Sequence, residues 1–262
     1  MSPSTHAATL TPARPVRVAH PSDLLPEGPL PTHLPIIVTI DGPAGTGKSS
    51  VARALAKRLG LDFLDTGAMY RACAAVVLDR GVDPKDFAAV VDIATRADLH
   101  FDWTKDPPQI LAFGSPIDHR VRDEDVTKLV SPIAGIGPLR DVMVRKQRVI
   151  AAQHPRLVTE GRDQGSVVFP DAAVKFYLDA RPEVRMRRRA EQLEAKGIRV
   201  DRDALLREII ERDRSDSGRS DGPLICPNDA QRVDTSDLTF DEVVGALERG
   251  ARARVLGSVT GS

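Results

Sequence analysis

From Ile36 onward, short apolar runs alternate with stretches in which apolar positions recur every three or four residues. IIVTI (36–40) is apolar almost throughout and predicts a strand buried on both faces. A Gly-rich turn follows, then a helical period through VARALAKRLG that stops at Gly60. LDFLD (61–65) predicts a second short strand, and GAMYRACAAVVLDRG a helix closed by Gly81. Asp83-Pro84 reads as an N-cap and first-turn proline opening a helix over 84–97. LHFDW, QILAF and the segment near IDHRV predict three short antiparallel strands around the Pro107–Pro108 turn. A helical region over 139–152 comes next. RLVTE (156–160), VKFYL (174–178) and QRVDT (231–235) predict three more strands, separated by Arg-rich helices over 182–196 and about 203–215. Five short strands alternating with helices predict a parallel α/β sheet, with the three-stranded segment near 98–121 as a small insert.

Residues 1–35 break this pattern. They contain eight prolines and no period, which predicts an extended, disordered tail. The stretch lacks the apolar core of a secretory signal; its few acids and its Arg14 and Arg17 are also compatible with an organellar transit peptide. Residues 256–262 are expected to be a flexible C-terminus. Lys+Arg 37 against Asp+Glu 37 gives zero formal charge, which argues against a protein that coats nucleic-acid polymers by neutralising many phosphates. Aromatic residues at 4% disfavour a base-stacking surface. Two cysteines, Cys73 and Cys226, are too few for a disulfide framework and fit a reducing compartment, so a cytoplasmic protein is expected. No apolar run approaches the roughly 18 residues of a membrane-spanning helix. The six histidines show no metal-ligand spacing.

Gly42-Pro43-Ala44-Gly45-Thr46-Gly47-Lys48-Ser49 fits G-x-x-x-x-G-K-[ST], and it lies between a predicted strand and a predicted helix. Glycines let the backbone wrap closely enough for several N–H groups to point at one phosphate, and the helix N-terminus favours the anion. Lys48 is placed to reach the β- and γ-phosphates of a nucleoside triphosphate. The Ser49 hydroxyl is placed to ligate Mg²⁺, with Ser50 following as a further loop residue. A dinucleotide fingerprint fits less well, because its third glycine would fall at Ser50. A GTP-dependent switch would carry an Asn-Lys-x-Asp segment, and the chain has none, which favours a kinase.

Three further stretches, LDTGAMYR, EGRDQGSVVFPDA and ERDRSDSGR, join DGPAGTGKSS. In these four segments and their spacing the chain resembles the bacterial cytidylate kinases, of the nucleoside-monophosphate kinase family, over roughly 36–255. The resemblance implies a P-loop kinase fold: a five-stranded parallel sheet flanked by helices, a small antiparallel acceptor-binding insert over about 67–135, and a helical lid over about 182–219. It implies ATP as donor with Mg²⁺, CMP and dCMP as acceptors, and a monomer. A kinase for another monophosphate such as UMP, or a P-loop switch that phosphorylates nothing, are the rival readings.

A kinase of this kind must hold a dianionic acceptor facing an anionic donor, a task suited to always-charged guanidinium groups that bind phosphate bidentately. Arg71 and Arg162 follow predicted strands, where ligands bind in open α/β sheets; taken alone, either could be a solvated surface charge. The resemblance implies that they grip the acceptor phosphate, with Thr66 and Tyr70 lining its pocket. It places Ser131, Arg140 and Asp163 at the cytosine; a capping serine and a surface arginine remain alternatives for the first two. Arg212, Asp216 and Arg219 share a face if their segment is helical, which is compatible with a plain ion pair. The resemblance instead puts Arg212 and Asp216 at the sugar hydroxyls and Arg219 beside the monophosphate. Arg185, Arg187, Arg188 and Arg189 cannot all share one side of a helix; Arg188 is the lid arginine expected at the transferring phosphoryl group. Gln164 and Ser166 stand where the resemblance leads one to expect an aliphatic residue and threonine.

Overall fold

A computed structural model describes Leu30, Thr32 and residues 34–260. Its main sheet has five parallel strands in the order β2-β6-β1-β7-β8. These are β1 (Ile36–Asp41), β2 (Asp62–Asp65), β6 (Arg156–Gly161), β7 (Val174–Asp179) and β8 (Gln231–Asp234). Between β2 and β6 lies a second sheet of three short antiparallel strands, β3 (His100–Asp102), β4 (Gln109–Ala112) and β5 (Ser115–Pro116). Eight helices complete the described chain: α1 (Lys48–Leu59), α2 (Thr66–Asp79), α3 (Phe87–Arg96), α4 (Glu124–Ala134), α5 (Gly137–Gln153), α6 (Pro182–Glu194), α7 (Arg202–Ser217) and α8 (Phe240–Thr260). One π-helical turn spans Gln164–Val168.

Both faces of the main sheet are buried, which is why its strands read as continuous apolar runs. Successive residues point to opposite faces. Leu64 and Leu157 join α2, α3, α4 and α5 in one core, while Val38, Ile40, Val158, Phe176 and Leu178 join α1 and α8 in the other. Phe176 is fully buried in this second core.

Leu30 is buried on the α1–α8 side, Leu34 packs there too, and Arg156 donates to the Leu34 carbonyl at 3.1 Å. The packed chain therefore reaches back into the segment expected to be a tail, of which residues 1–29, 31 and 33 lie outside those described. At the other end α8 continues to Thr260, past residue 255; residues 261–262 lie outside those described.

Three elements differ from the periodicity. The helix expected from Pro84 starts at Phe87, because the Asp83 carboxylate turns back onto the Lys85 amide while Asp86 caps the helix through Ala89 N. The third insert strand is Ser115–Pro116 rather than IDHRV: Phe113 and Gly114 both take positive φ in a tight hairpin, and 117–123 goes into turns. The helix expected over 139–152 is α5, and the period did not announce the helix before it, α4, which ends at Gly135–Ile136. Among the described residues no helix is long and apolar enough to cross a membrane.

Since Phe176 fills the centre of the α1–α8 core, Phe176→Ala should destabilise the protein by about 3–5 kcal/mol in urea unfolding, with the m-value unchanged.

Candidate active site

The parallel register of β1 and β6 sets Asp41 opposite Gly161, and that of β2 and β6 sets Asp65 opposite Glu160. Three strands thus end side by side, and the chain leaving each carries polar residues into one cleft at the carboxyl edge of the sheet, the edge at which open α/β sheets bind ligands. After β1 comes the loop Gly42–Gly47. Gly42 has φ +147°, and a Cβ there would sit 2.0 Å from the Leu178 carbonyl oxygen, so the loop can turn only at a glycine. Gly47 takes φ +89° as the N-cap of α1 and leaves the first-turn amides of that helix facing the cleft.

Lys48 is buried and donates from Nζ to the Pro43 carbonyl at 2.7 Å, folding the loop around its own side chain. Thr46 Oγ1 donates to the same carbonyl at 3.2 Å. Burial, reinforced by the nearby Arg162 cation, lowers the Lys48 ammonium to about 7. The lysine is thereby held without a full counter-charge, ready for an anion. Ser49 Oγ donates to Glu160 Oε1 at 2.8 Å, tying the loop helix to the end of β6.

Three carboxylates at this edge, Asp41, Asp65 and Glu160, had no role from sequence. Asp41, 1% exposed, accepts from the backbone amides of Gln164 at 2.8 Å and Gly165 at 2.7 Å, and burial raises it to about 7. Asp65 caps α2 through Ala68 N at 2.9 Å and is raised to about 7, first by burial and then by the neighbouring Glu160. Asp41 and Glu160 each interrupt an apolar strand run at its C-terminal end, beside a motif glycine, and that interruption was the available signal.

Opposite the loop lies a knot of arginines. Arg162 Nε donates to Asp216 at 2.8 Å, and Arg219 donates to the other Asp216 oxygen at 2.6 Å and to Ser131 Oγ at 3.1 Å. Burial would raise the Asp216 carboxyl, but Arg162 and Arg219 outweigh it and hold it below the usual carboxylate range. Conversely, burial works against the Arg162 cation and Asp216 overrides it. Arg140 of α5 pairs with Asp163 and donates to the Ala134 carbonyl at 3.4 Å. Burial pushes the Asp163 carboxyl up against the pull of Arg140. Thr66 Oγ1 donates to the Glu160 carbonyl at 2.7 Å, and burial pushes the Tyr70 phenol up to about 12. Arg212 is lowered to about 10 by burial and by Arg162, and its buried Nε has no hydrogen-bond partner among the described residues. Arg71 is lowered by burial as well.

Arg188 is not brought to the phosphate loop. It donates to Thr235, at 3.2 Å to the hydroxyl and 2.6 Å to the carbonyl, directly after β8. Arg185 reaches the loop instead: it donates to the Ala44 carbonyl at 3.1 Å and is bridged to Asp213 of α7 at 2.5 Å. Arg185 lies on the buried face of α6 with Val184 and Ala190, a placement hidden in sequence by the run of arginines around it. The two departures from the expected pattern differ in their surroundings. Gln164 is fully hydrogen-bonded in the interior, whereas the buried Ser166 Oγ has no partner among the described residues.

A phosphate loop, a lysine at its helix and an arginine cluster facing both define a P-loop phosphotransferase. The cytidylate kinase family model matches residues 38–252. A cytidylate kinase of Corynebacterium glutamicum is 46% identical, covering 81% of this chain and 92% of its own; one of Caldanaerobacter subterraneus is 40% identical, covering 87% and 99%. One of Rhodococcus opacus is 44% identical over 81% and 93%. The chain belongs to the cytidylate kinase family.

Lys48 carries a testable signature in stability. In the unfolded chain it titrates near its ordinary 10.5 and in the folded protein near 7, so between these values the unfolded state holds more protons and stability rises with pH. Lys48→Met should flatten that rise, by on the order of 3 kcal/mol between pH 7 and pH 10, in denaturant unfolding followed across the range.

Proposed function

We propose that this cleft transfers the γ-phosphoryl group of ATP to CMP, and to dCMP, giving ADP and the pyrimidine diphosphate. The observation that carries the reading is the unneutralised positive charge between two anion sites. Lys48 stands at the loop without a carboxylate bridge, and Arg212 keeps a buried Nε–H unpaired. An unpaired buried donor costs roughly 1–3 kcal/mol, a cost that a bound phosphate removes.

The loop amides and Lys48 hold the ATP phosphates, with Gly42, Pro43, Ala44, Gly45, Thr46, Gly47, Ser49 and Ser50 forming the cradle. Arg71, Arg162 and Arg219 hold the CMP phosphate, and Thr66 and Tyr70 close its pocket. The attacking oxygen belongs to a phosphate already ionised at neutral pH, so no general base is needed. In a loose transition state the charge spreads over the transferring oxygens, and Lys48 and Arg162 are positioned to receive it, while Arg185, bridged to Asp213, braces the loop through the Ala44 carbonyl. Closure of α6 and α7 would exclude water from the transfer.

The residues also suit Mg²⁺. Ser49 offers a hard oxygen beside the Glu160 carboxylate, and among the described residues no cluster of three or more ligating side chains forms a cage. That donor set fits an ion that takes most of its ligands from phosphates and water. Ser49 would hold it, and when bound it would neutralise charge on the β- and γ-oxygens.

Base choice falls to Ser131, Arg140 and Asp163. Asp163 accepts from the cytosine amino group, while Arg140 and Ser131 donate to its acceptors. Uracil presents the reverse pattern at two positions and would leave buried groups unpaired. Asp216 and Arg212 take the sugar hydroxyls. The working unit is a monomer acting in the cytoplasm.

A coupled ADP-release assay with CMP, dCMP, UMP, AMP and GMP should show turnover with CMP and dCMP alone. ADP release without any monophosphate would sink the kinase reading, and preference for UMP would move it to another acceptor. Lys48→Met should lower kcat by at least about a hundredfold, the scale of losing a charge aimed at the transition state. Asp163→Ala should lower kcat/KM for CMP while leaving the KM for ATP within about twofold, since a buried charged hydrogen bond is worth roughly 1.5–3 kcal/mol.

A further inference from the structure

Behind the base-reading pair lies a buried chain of three uncharged polar side chains. Thr159 Oγ1 donates to Gln164 Oε1 at 2.9 Å, and Gln164 Nε2 donates to Gln147 Oε1 at 3.1 Å. All three are buried, Thr159 at 0% and each glutamine at 1% exposed. Among the described residues none of the three side chains hydrogen-bonds to the loop or to the arginine knot, and the phosphoryl transfer assigns them no part.

Their placement is specific. Gln164 directly follows Asp163, and its own amide is pinned to Asp41 at 2.8 Å. Gln147 stands seven residues after Arg140 on α5, which puts both on the same helix face, two turns or about 10 Å apart. The two amides therefore join the segment that carries Asp163 to the helix that carries Arg140. The fit leaves no slack: a Cβ at Gly161 would lie 2.9 Å from both Cγ and Nε2 of Gln164. A second tie runs from Arg148, which donates to the carbonyls of Val167 and Val168 at 3.0 Å each, fixing the far end of the π-helical turn to the same helix.

Apolar side chains would fill this space but would tolerate sliding of the helix along the loop. An amide pair does not, because its bonds fail when donor and acceptor move by more than a few tenths of an ångström. We infer that Gln147 and Gln164 are positioning residues which fix the separation of Arg140 from Asp163 and thereby set the discrimination between cytosine and uracil. The inference rests on Arg140 and Asp163 reading the base.

The test compares Gln164→Met, Gln147→Met and the double variant with the unaltered chain and with Asp163→Ala, measuring kcat/KM for CMP and UMP, KM for ATP and the melting temperature. Each single variant buries an unpaired amide, so it should lose stability; its KM for CMP should rise about tenfold and its CMP-to-UMP efficiency ratio fall about tenfold, with KM for ATP within twofold. The double variant removes both amides but leaves the buried Thr159 hydroxyl without its acceptor, so it should regain part of the melting temperature, and adding Thr159→Val should restore most of the rest, as matched apolar replacements do. The double variant should nevertheless keep the lowered ratio. A double variant with the unaltered CMP-to-UMP ratio overturns the inference, as does a parallel loss for CMP and ATP. If Asp163→Ala lowers the ratio and the glutamine variants do not, only the positioning role falls. If Asp163→Ala also leaves the ratio unchanged, base reading by Asp163 falls and the inference with it. Should a single variant not fold, the double variant still decides.

Discussion

One buried carboxylate organises the acceptor side of the cleft. Asp216, 2% exposed, gives one oxygen to Arg162 and the other to Arg219. Without it, two guanidinium groups would be forced together in a partly dehydrated space beside Arg71 and Arg212, and their repulsion would splay the end of α7 away from β6. With it, the last turn of α7 is tied to the strand end that carries Arg162, and through Arg219 to Ser131 on α4. An isolated buried pair is weak evidence for stability, because desolvation offsets attraction. Here the group of charges is deliberately unequal: one acid serves two bridged arginines and leaves further cationic charge nearby unmatched. That excess is what an incoming phosphate would neutralise.

The same economy governs the donor side. Among the described residues Lys48 has the Pro43 carbonyl alone as a hydrogen-bond acceptor, while the carboxylates around it are engaged elsewhere: Asp41 with two backbone amides, Glu160 with Ser49. Direct bridges from either carboxylate to Lys48 would satisfy the lysine and compete with phosphate. Instead, each acid fastens the backbone that shapes the site. Asp41 anchors the turn after β6, and Glu160 anchors the helix after the loop. Burial is the first cause both of the raised Asp41 and Asp65 carboxyls and of the lowered Lys48 ammonium.

Much of this was legible in the chain. Strand β1 and the loop after it follow from an apolar run meeting a Gly-rich motif, and the adjacency of β1 to β6 brings together residues that lie over a hundred positions apart. Period alone fails where turn chemistry intervenes. Ile117 and Val121 are buried and look strand-like, but the Phe113–Gly114 turn had already used the pairing register on Ser115 and Pro116. Asp83-Pro84 has the composition of a helix start, yet Asp86 makes the capping bond. Side-chain direction was the least legible level. Four neighbouring arginines on α6 are equivalent in composition, and only packing against α7 and the loop singles out Arg185 while sending Arg188 to Thr235.

The equal totals of 37 basic and 37 acidic residues take on a different meaning once charges have places. Exposed pairs such as Arg53 with Asp106, Arg181 with Asp237 and Arg120 with Asp125 neutralise each other at the surface. Screening at physiological salt confines any residual surface field to about 8 Å. Inside the cleft the arginines are shielded from water and salt, so their field persists over the few ångströms that matter to a ligand. A nucleotide phosphate that enters the cleft would meet this concentrated positive charge. Selection by charge thus comes from where the end of β6 and the last turn of α7 place their arginines around Asp216.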